Sequence, residues 1–396
     1  MPAIRCVIMR GGTSKAVFLK EADLPADREE RDRTILRIFG SPDRRQIDGL
    51  GGADPLTSKM AIIGPVRHDE PRAAGTHLTY TFGQVEIDHP EIDYLSLCGN
   101  ISSSVGAFAI YEGMVEPHAP VTSVRVFNTN LNRVLTIEVP VNGNRPVEVG
   151  DYVVPGVPGT GAKILIDFAD TAGGATGALL PTGNPIDRLE IPGFGSIEAS
   201  LVDIGNAHVF IRPRDVGLVG TETAAQIDAD TKLRDVLEQI RGAAAERMGM
   251  VSAAAQSREE SPATPILGMI SPPADYEDVL NRRTVRAEEV DLIGRVMFMQ
   301  QMHKTYAGTS TVCTGVASRV PGTIVHEAAR SGGNGRNAAE VRIGHPAGVI
   351  ETESDVALEG NAYVVRRATL GRTARRIMEG YVFTPDDTGP MDTAHG

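Results

Sequence analysis

Apolar and polar residues alternate in short stretches along most of the chain, the period of half-buried strands. Residues 79–88 (TYTFGQVEID), 123–128 (SVRVFN), 133–139 (RVLTIEV), 163–168 (KILIDF) and 197–203 (IEASLVD) all read this way, and 60–63 forms a shorter apolar strand. Helical spacing occurs in four places. It predicts helices over 27–39, stopped by Gly40, over 100–112, stopped by Gly113, over 228–248, and over 290–304 with a Met-rich face that ends at His303 and Lys304. Strands outnumber helices, so the expected class is α+β. Residues 173–185 (GGATGALLPTGNP) follow neither period and read as a linker, giving lobes of 1–182 and 183–396.

The two halves echo each other. Residues 8–19 (IMRGGTSKAVFL) resemble 203–211 (DIGNAHVFI), each a glycine turn entering a Val-Phe strand, and 97–107 (LCGNISSSVGA) resemble 312–318 (VCTGVAS). Two pseudo-repeated, strand-rich lobes, each offering one helix start, would place a ligand in the cleft between them.

Composition narrows the partners. Thirty-nine Lys and Arg stand against 51 Asp and Glu, a formal net charge of -12, which repels nucleic-acid phosphates and anionic membranes alike. A small anion is still acceptable in a closed pocket, where a few fixed donors outweigh a diffuse field. Three cysteines, Cys6, Cys98 and Cys313, suit neither a disulfide framework nor a zinc site, and the first residues lack a secretory h-region. A cytoplasmic protein is expected. No metal is expected either, since His326-Glu327 lacks a second histidine at the metal-binding step, and G-x-S-x-G is missing.

Three clusters could carry chemistry. In Arg10-Gly11-Gly12-Thr13-Ser14-Lys15, two glycines let backbone N–H groups approach an anion and the hydroxyls of Thr13 and Ser14 add donors; the alternative is a plain hairpin turn. In 49–59 (GLGGADPLTSK) a glycine-rich loop delivers Lys59 to a strand. There the lysine is either a desolvated amine able to give up its proton or a solvated turn cap. In 98–104 (CGNISSS) a thiol at a helix entry would be stabilised as thiolate by orphan N–H groups, which could equally hold a carboxylate; otherwise Cys98 is buried and inert. Asn206, His208, His303, Ser310, Thr311, Thr314 and Ser318 are further polar residues in small-residue turns, able to bind carboxylates or to cap helices.

Taken together, RGGTSK, QIDGLGGADPLTSK at 46–59 and LCGN at 97–100 resemble the PrpF family of isomerases, which includes methylaconitate, methylitaconate and 4-oxalomesaconate isomerases. The resemblance implies the diaminopimelate-epimerase-like fold, two lobes each made of a β-barrel-like sheet around a central helix. It implies a cofactor-free allylic 1,3-proton shift in an unsaturated di- or tricarboxylate, with a small polycarboxylate as partner. A homodimer is the assembly considered, although no heptad or edge pattern in the sequence points to one. Lys59 and Cys98 would move the proton. Arg10, Gly12, Thr13, Ser14, Asn100, Ser102 and Ser103 would bind carboxylates, with Asn206, His303, Ser310 and Thr314 as the second-lobe set. Related epimerases use two cysteines; aligning Thr314-Gly315 on their second motif puts Val312 at the second catalytic position, with Cys313 one residue away. An epimerase, or a silent carboxylate-binding protein, is the alternative. Within the family, GGADPLTSK and the preceding SPDRRQIDGL look nearer to the 4-oxalomesaconate type.

Overall fold

The computed structural model describes residues 3–329, 340–360 and 362–384. The segment 331–336 (SGGNGR), whose glycine-rich composition predicts a mobile loop, lies outside them. The chain divides into two compact units, the first made from the described parts of Met1–Ile166 and Arg372–Gly396, the second Asp167–Gly371.

In the first unit, Ala3–Gly11 and Ser14–Lys20 form a tight antiparallel hairpin, with Gly11 opposite Ser14. Ser14–Lys20 lies parallel to Lys59–Gly64, which runs antiparallel to Leu78–Val85. Leu78–Val85 is parallel to Val121–Asn128, and that strand is antiparallel to Arg133–Asn142. The free edge of Ala3–Gly11 takes Ala374–Phe383, so the C-terminal strand belongs to the first unit, not with the residues that precede it as the linear division 183–396 had it.

Helix α1 (Arg28–Phe39) starts at Asp27, whose carboxylate accepts from the Glu30 N–H, and ends at Gly40 in the left-handed region. Its Ile35, Leu36, Ile38 and Phe39 pack with Met60, Ile62 and Val85 on one face of the sheet. Helix α2 (Gly99–Tyr111) covers the other face. Every residue from Gly99 to Ile110 is buried, and α2 touches strands from Ala374–Phe383 across to Arg133–Asn142. A helix buried on all sides by one sheet requires that sheet to curl around it. Its C-terminal end is held by Glu112, which meets Arg5 at 2.6 Å, Lys20 at 2.8 Å and Arg376 at 2.8 Å, one cation from each of three neighbouring strands.

The second unit repeats this succession. Gly195–Ile204 and Asn206–Ile211 form a hairpin turning at Gly205, and Asn206–Ile211 is parallel to Ile266–Ser271. Then come Leu292–Phe298 antiparallel, Glu340–His345 parallel and Gly348–Glu359 antiparallel. The long helical pattern at 228–248 resolves into α3 (Ala224–Ala229) and α4 (Thr231–Arg247), because Asp230 takes an extended backbone and caps α4 through the Leu233 N–H. After α5 (Ser257–Glu260), helix α6 (Gly308–Ala317) is buried throughout, as α2 is, and α7 (Ile324–Ala328) closes this part.

Two sequence readings are overturned here. The predicted helix 290–304 is a strand, Leu292–Phe298, turning through Met299 and Gln300 (φ 51° and 55°) into Gln301–Met302. Leu292, Ile293, Val296 and Met297, buried on both sheet faces, imitate a helical stripe, and period alone does not separate the two. His303 and Lys304 therefore follow a hairpin. The predicted linker 173–185 is packed into the second unit, where the Asp203 carboxylate accepts from the Ala175 and Thr176 N–H groups and the Thr176 hydroxyl.

Candidate active site

The geometry of the first unit follows from strand alternation. The Phe18 ring packs at a tilt against Phe108 of α2 with centroids 5.1 Å apart, so Ser14, Ala16 and Phe18 face the helix. Ala16 pairs with Lys59, which therefore faces α2 too, while Met60 and Ile62 turn to α1. On the next strand Gln84 lies opposite Lys59, and Tyr80, Phe82 and Gln84 share that face. Lys59 is only 5% exposed. Its Nζ donates to Gln84 Oε1 and stands 5.4 Å from the centre of the Phe82 ring. The loop before it is filled by its own chain. Residues 49–58 wrap around buried Gln46, whose side-chain oxygen accepts from the Ala53 N–H at 2.8 Å and the Ser58 hydroxyl at 2.7 Å; a Cβ on Gly51 would fall 2.2 Å from that amide.

Cys98 occupies the N-cap of α2, half-buried, with no side-chain cap bond. The first intrahelical bond runs from the Ser102 N–H to the Cys98 carbonyl, which leaves the N–H groups of Gly99, Asn100 and Ile101 without a partner inside the helix. Tyr80, fully buried and held neutral by that burial, is close enough to feel the Cys98 thiol. Lys59 and Cys98 thus border one strand face, at Gln84 and Tyr80 respectively.

The 10–14 turn docks on this helix start. Gly12 has φ 48°, and a Cβ there would lie 2.1 Å from Asn100 Oδ1; one on Gly11 would lie 2.3 Å from the Asn100 carbonyl. Glycine is required at both. Asn100 Nδ2 donates to Thr13 Oγ1 at 3.0 Å, and its Oδ1 accepts from Arg372 Nε at 2.8 Å. Arg372 is buried, and that burial lowers its guanidinium to about 10. Arg10 braces the turn, donating to the carbonyls of Gly12 (3.0 Å) and Thr373 (2.9 Å) and to the Thr373 hydroxyl (3.0 Å). Ser102 and Ser103 donate back to the carbonyls of Cys98 and Asn100. The hydroxyls of Ser14 and Ser104 are buried with no hydrogen-bond partner, and the Tyr80 hydroxyl lies beside Ser102. Orphaned donors around a helix start form an anion receptor.

The second unit gathers a different set. Asn206 Nδ2 donates to Thr309 Oγ1 at 3.1 Å, the counterpart of the Asn100–Thr13 bond with helix and turn exchanged. His208 lies between the Asn206 carbonyl and Ser310 Oγ, 2.8 Å from each. Burial lowers its pKa to about 4, so the ring is neutral, Nδ1–H donates to the carbonyl and the Ser310 hydroxyl donates to Nε2. His303 and Thr314 do not join this group. His303 Nδ1 accepts from the Thr305 N–H in its own turn, and Thr314 pairs with the Tyr306 hydroxyl at 2.9 Å.

The helical echo 97–107 with 312–318 is out of register. Helix α6 begins at Gly308, with Ala307 in the N-cap place that Cys98 holds on α2. Val312 and Cys313 lie within α6, fully buried. Burial pushes the Cys313 thiol well up, and its Sγ sits 3.7 Å from the Val202 carbonyl. The position opposite Cys98 in the repeat is therefore Ala307, not Val312.

Sequence reasoning missed Gln84, Tyr80 and Arg372. A polar residue on the inward side of an apolar strand is the signal that would have found Gln84; Arg372 lies 272 residues from Asn100 and only folding joins them. A cavity of about 460 Å³ lined by Arg28, Arg31 and Arg67 includes none of the expected site residues, and Glu21, Asp69 and Glu70 in its lining cancel its positive charge. Among the described residues there is no cluster of metal ligands and no helix long and apolar enough to cross a membrane.

The sequence pattern of a family described as PrpF protein matches residues 1–385. The chain is 50% identical over 380 residues to the 3-methylitaconate isomerase of Eubacterium barkeri, covering 96% of this chain and 97% of that one. It is 37% identical to the 2-methyl-aconitate isomerase of Shewanella oneidensis (96% and 97% covered) and 34% identical to the 4-oxalomesaconate tautomerase of Pseudomonas putida (97% and 97%). Identity thus runs opposite to the expected leaning toward the 4-oxalomesaconate type. A crystal structure of methylitaconate-delta-isomerase superposes with TM-score 0.83 at 49% identity, covering 96% of this chain and 95% of that one. A probable proline racemase from Agrobacterium radiobacter shares the fold at TM-score 0.54 and 12% identity, with 99% and 96% covered. The architecture is the diaminopimelate-epimerase-like one.

Proposed function

We propose, for a chain that belongs to the PrpF family of isomerases, that it moves a carbon–carbon double bond in an unsaturated dicarboxylate of the methylitaconate kind, with Lys59 and Cys98 carrying the proton. The observation that carries the reading is the shared sheet face: a buried lysine and a helix-capping thiol border Tyr80, Phe82 and Gln84, beside a helix start with spare N–H donors. In a 3-methylitaconate the proton on the methyl-bearing carbon is both allylic and adjacent to a carboxylate. Lys59 removes it as a neutral amine. The charge spreads onto carboxylate oxygens held by the N–H groups of α2 and the hydroxyls of Thr13 and Ser14, and Cys98 returns a proton to the terminal methylene carbon. One C–H bond breaks, one forms, and the double bond moves inward.

Arg10 supports this as the brace of the turn, and Asn100 as the link between turn and helix. Ser102 and Ser103 brace the same helix start by donating to the Cys98 and Asn100 carbonyls. Asn206 and Ser310 are the second unit's polar set, and His303 and Thr314, bonded to Thr305 and Tyr306, stand outside it. Epimerisation by two thiols is disfavoured by Ala307 at the second helix start. The proposal includes a cytoplasmic location, supported by three free cysteines, and a homodimer, which sedimentation tests. The direct experiment is a proton NMR time course in D₂O with 3-methylitaconate, 2-methylaconitate, 4-oxalomesaconate and diaminopimelate. Double-bond migration with deuterium entering the former methylene carbon is expected with the first; deuterium entering a stereocentre without migration would replace the isomerase reading by an epimerase.

A further inference from the structure

Lys59 has one side-chain partner of fixed polarity. Gln84 stands directly opposite it in the antiparallel pair, both residues are 5% exposed, and Lys59 Nζ donates to Gln84 Oε1. The amide cannot be turned over. Its Nε2 donates to the carbonyls of Pro55 at 3.2 Å and Ser58 at 3.1 Å, groups that only accept, so Oε1 must face the lysine. We infer that Gln84 is the positioning residue for the base, and that an amide stands there because a carboxylate would hold on the amine the proton that catalysis has to move. This rests on Lys59 being the base.

Hydrogen-bond valence orients the amine. A neutral amine has two N–H groups and one lone pair. With one N–H drawn to Oε1, the rotation of the amine is limited and the lone pair points away from Gln84. The loop that ends at Ser58 supplies the two carbonyls, so the path of 49–58 around Gln46 fixes the amide, and the amide fixes the amine. Charge matters as much as direction: an opposite charge within about 4–6 Å raises a lysine's pKa by about 1–3 units, whereas an amide oxygen accepts without net charge.

Few other groups compete for control of this amine. Asp93, paired with Gln84 on the neighbouring strand, is the carboxyl that feels Lys59; burial raises it, while the Leu95 N–H and Ser96 hydroxyl hold it in place. From Ser14–Lys20 the facing residue is Ala16, with Lys15 on the opposite strand face. From Leu78–Val85 the titratable neighbour is neutral Tyr80, α2 presents only Cys98 at its start, and Glu21 lies at the far end of the strand beside Gly64.

The test uses the full chain and the pH dependence of kcat/KM. Gln84→Glu is expected to move the ascending limb upward by about 1–3 units, with turnover recovering above it. Gln84→Met, similar in length but without the acceptor, is expected to lower kcat about 10-fold with KM within about twofold and no upward movement of the limb. A folded Gln84→Glu protein with the wild-type limb, or Gln84→Met with the wild-type kcat, overturns the inference. If Gln84→Glu does not fold, the kcat against KM split in Gln84→Met decides it. Lys59→Ala separates the two readings: full turnover there removes Lys59 as base and this inference with it, whereas an inactive Lys59→Ala protein beside unaffected Gln84 variants removes only the role of Gln84.

Discussion

The chain builds one succession of strands and helices twice and furnishes the two copies differently. Register makes the correspondence explicit. Gly11 pairs with Ser14 as Ile204 pairs with Asn206, so Ala16 corresponds to His208 and Lys59, the partner of Ala16, to Ile266, the partner of His208. Gln84 then corresponds to Phe298, one step beyond Met297, which pairs with Leu267. Cys98 corresponds to Ala307. Where the first unit has amine, amide and thiol, the second has isoleucine, phenylalanine and alanine. Both copies keep the asparagine-to-threonine bond that ties turn to helix. The fold supplies a helix start with spare donors in each unit; the proposed proton transfer is confined to the first because three side chains differ there.

The largest expected effect of breaking this asymmetry is on rate. Lys59→Ala should abolish turnover, by roughly 10³-fold or more, with substrate binding largely kept, and Cys98→Ser should slow it by roughly 10²-fold or more, both read by deuterium incorporation. A wild-type rate in either variant removes that residue from the mechanism.

Acid should distinguish the units next. His208 has a folded pKa of about 4 against 6.5 unfolded, so the unfolded chain binds the proton first. Stability of the second unit should fall as pH drops from about 6.5 to about 4, by at most about 3 kcal/mol, and level off below that. Glu112 is the opposite case in the first unit. Burial would raise its carboxyl, but Arg5, Lys20 and their charges overcome this and hold it at about 2. Its contribution is present above about 4.5 and lost only toward pH 2. Hydrogen exchange should therefore show amides around His208 losing protection at a higher pH than those of α2, and His208→Asn should erase the difference; simultaneous loss in the wild-type protein would refute the two windows.

Legibility from sequence follows the range of the interactions. Helix α1 was readable to within one residue of its start and to its stop, because Asp27 and Gly40 act locally; Lys59 and Cys98 stood out because their motifs are contiguous. The hairpin at 299–300 was not readable, since Met and Gln give no hint of two left-handed residues. Nor was the register of α6, whose small residues fit a helix start at 308 or at 312 equally well. Arg372, Tyr80 and Gln84 reach the site only through strand pairing, which no local pattern encodes.

The turns should also respond unequally. Gly12→Ala meets both a left-handed backbone and the Asn100 side chain and should destabilise by about 3 kcal/mol. Gly205→Ala has φ 68° but 3.3 Å of clearance to Thr309, so about 1 kcal/mol is expected. Urea unfolding measures both, and equal losses would mean that the two turns are docked alike. Smallest are the caps of α1 and α4: Asp27→Ala and Asp230→Ala should each cost about 1 kcal/mol and leave kcat unchanged.

The pairing of Ala374–Phe383 with Ala3–Gly11 has a consequence for the order in which the protein is made. During synthesis the first unit emerges early with Lys59, Gln84 and Cys98 but without the strand that closes its edge. More than two hundred residues, the whole second unit, must leave the ribosome before Arg372 arrives to hold Asn100 and Thr373 to anchor Arg10. A nascent or truncated chain carries the side chains proposed to move the proton before the turn and helix start proposed to hold the carboxylate are complete, so on this reading activity becomes a property of complete chains.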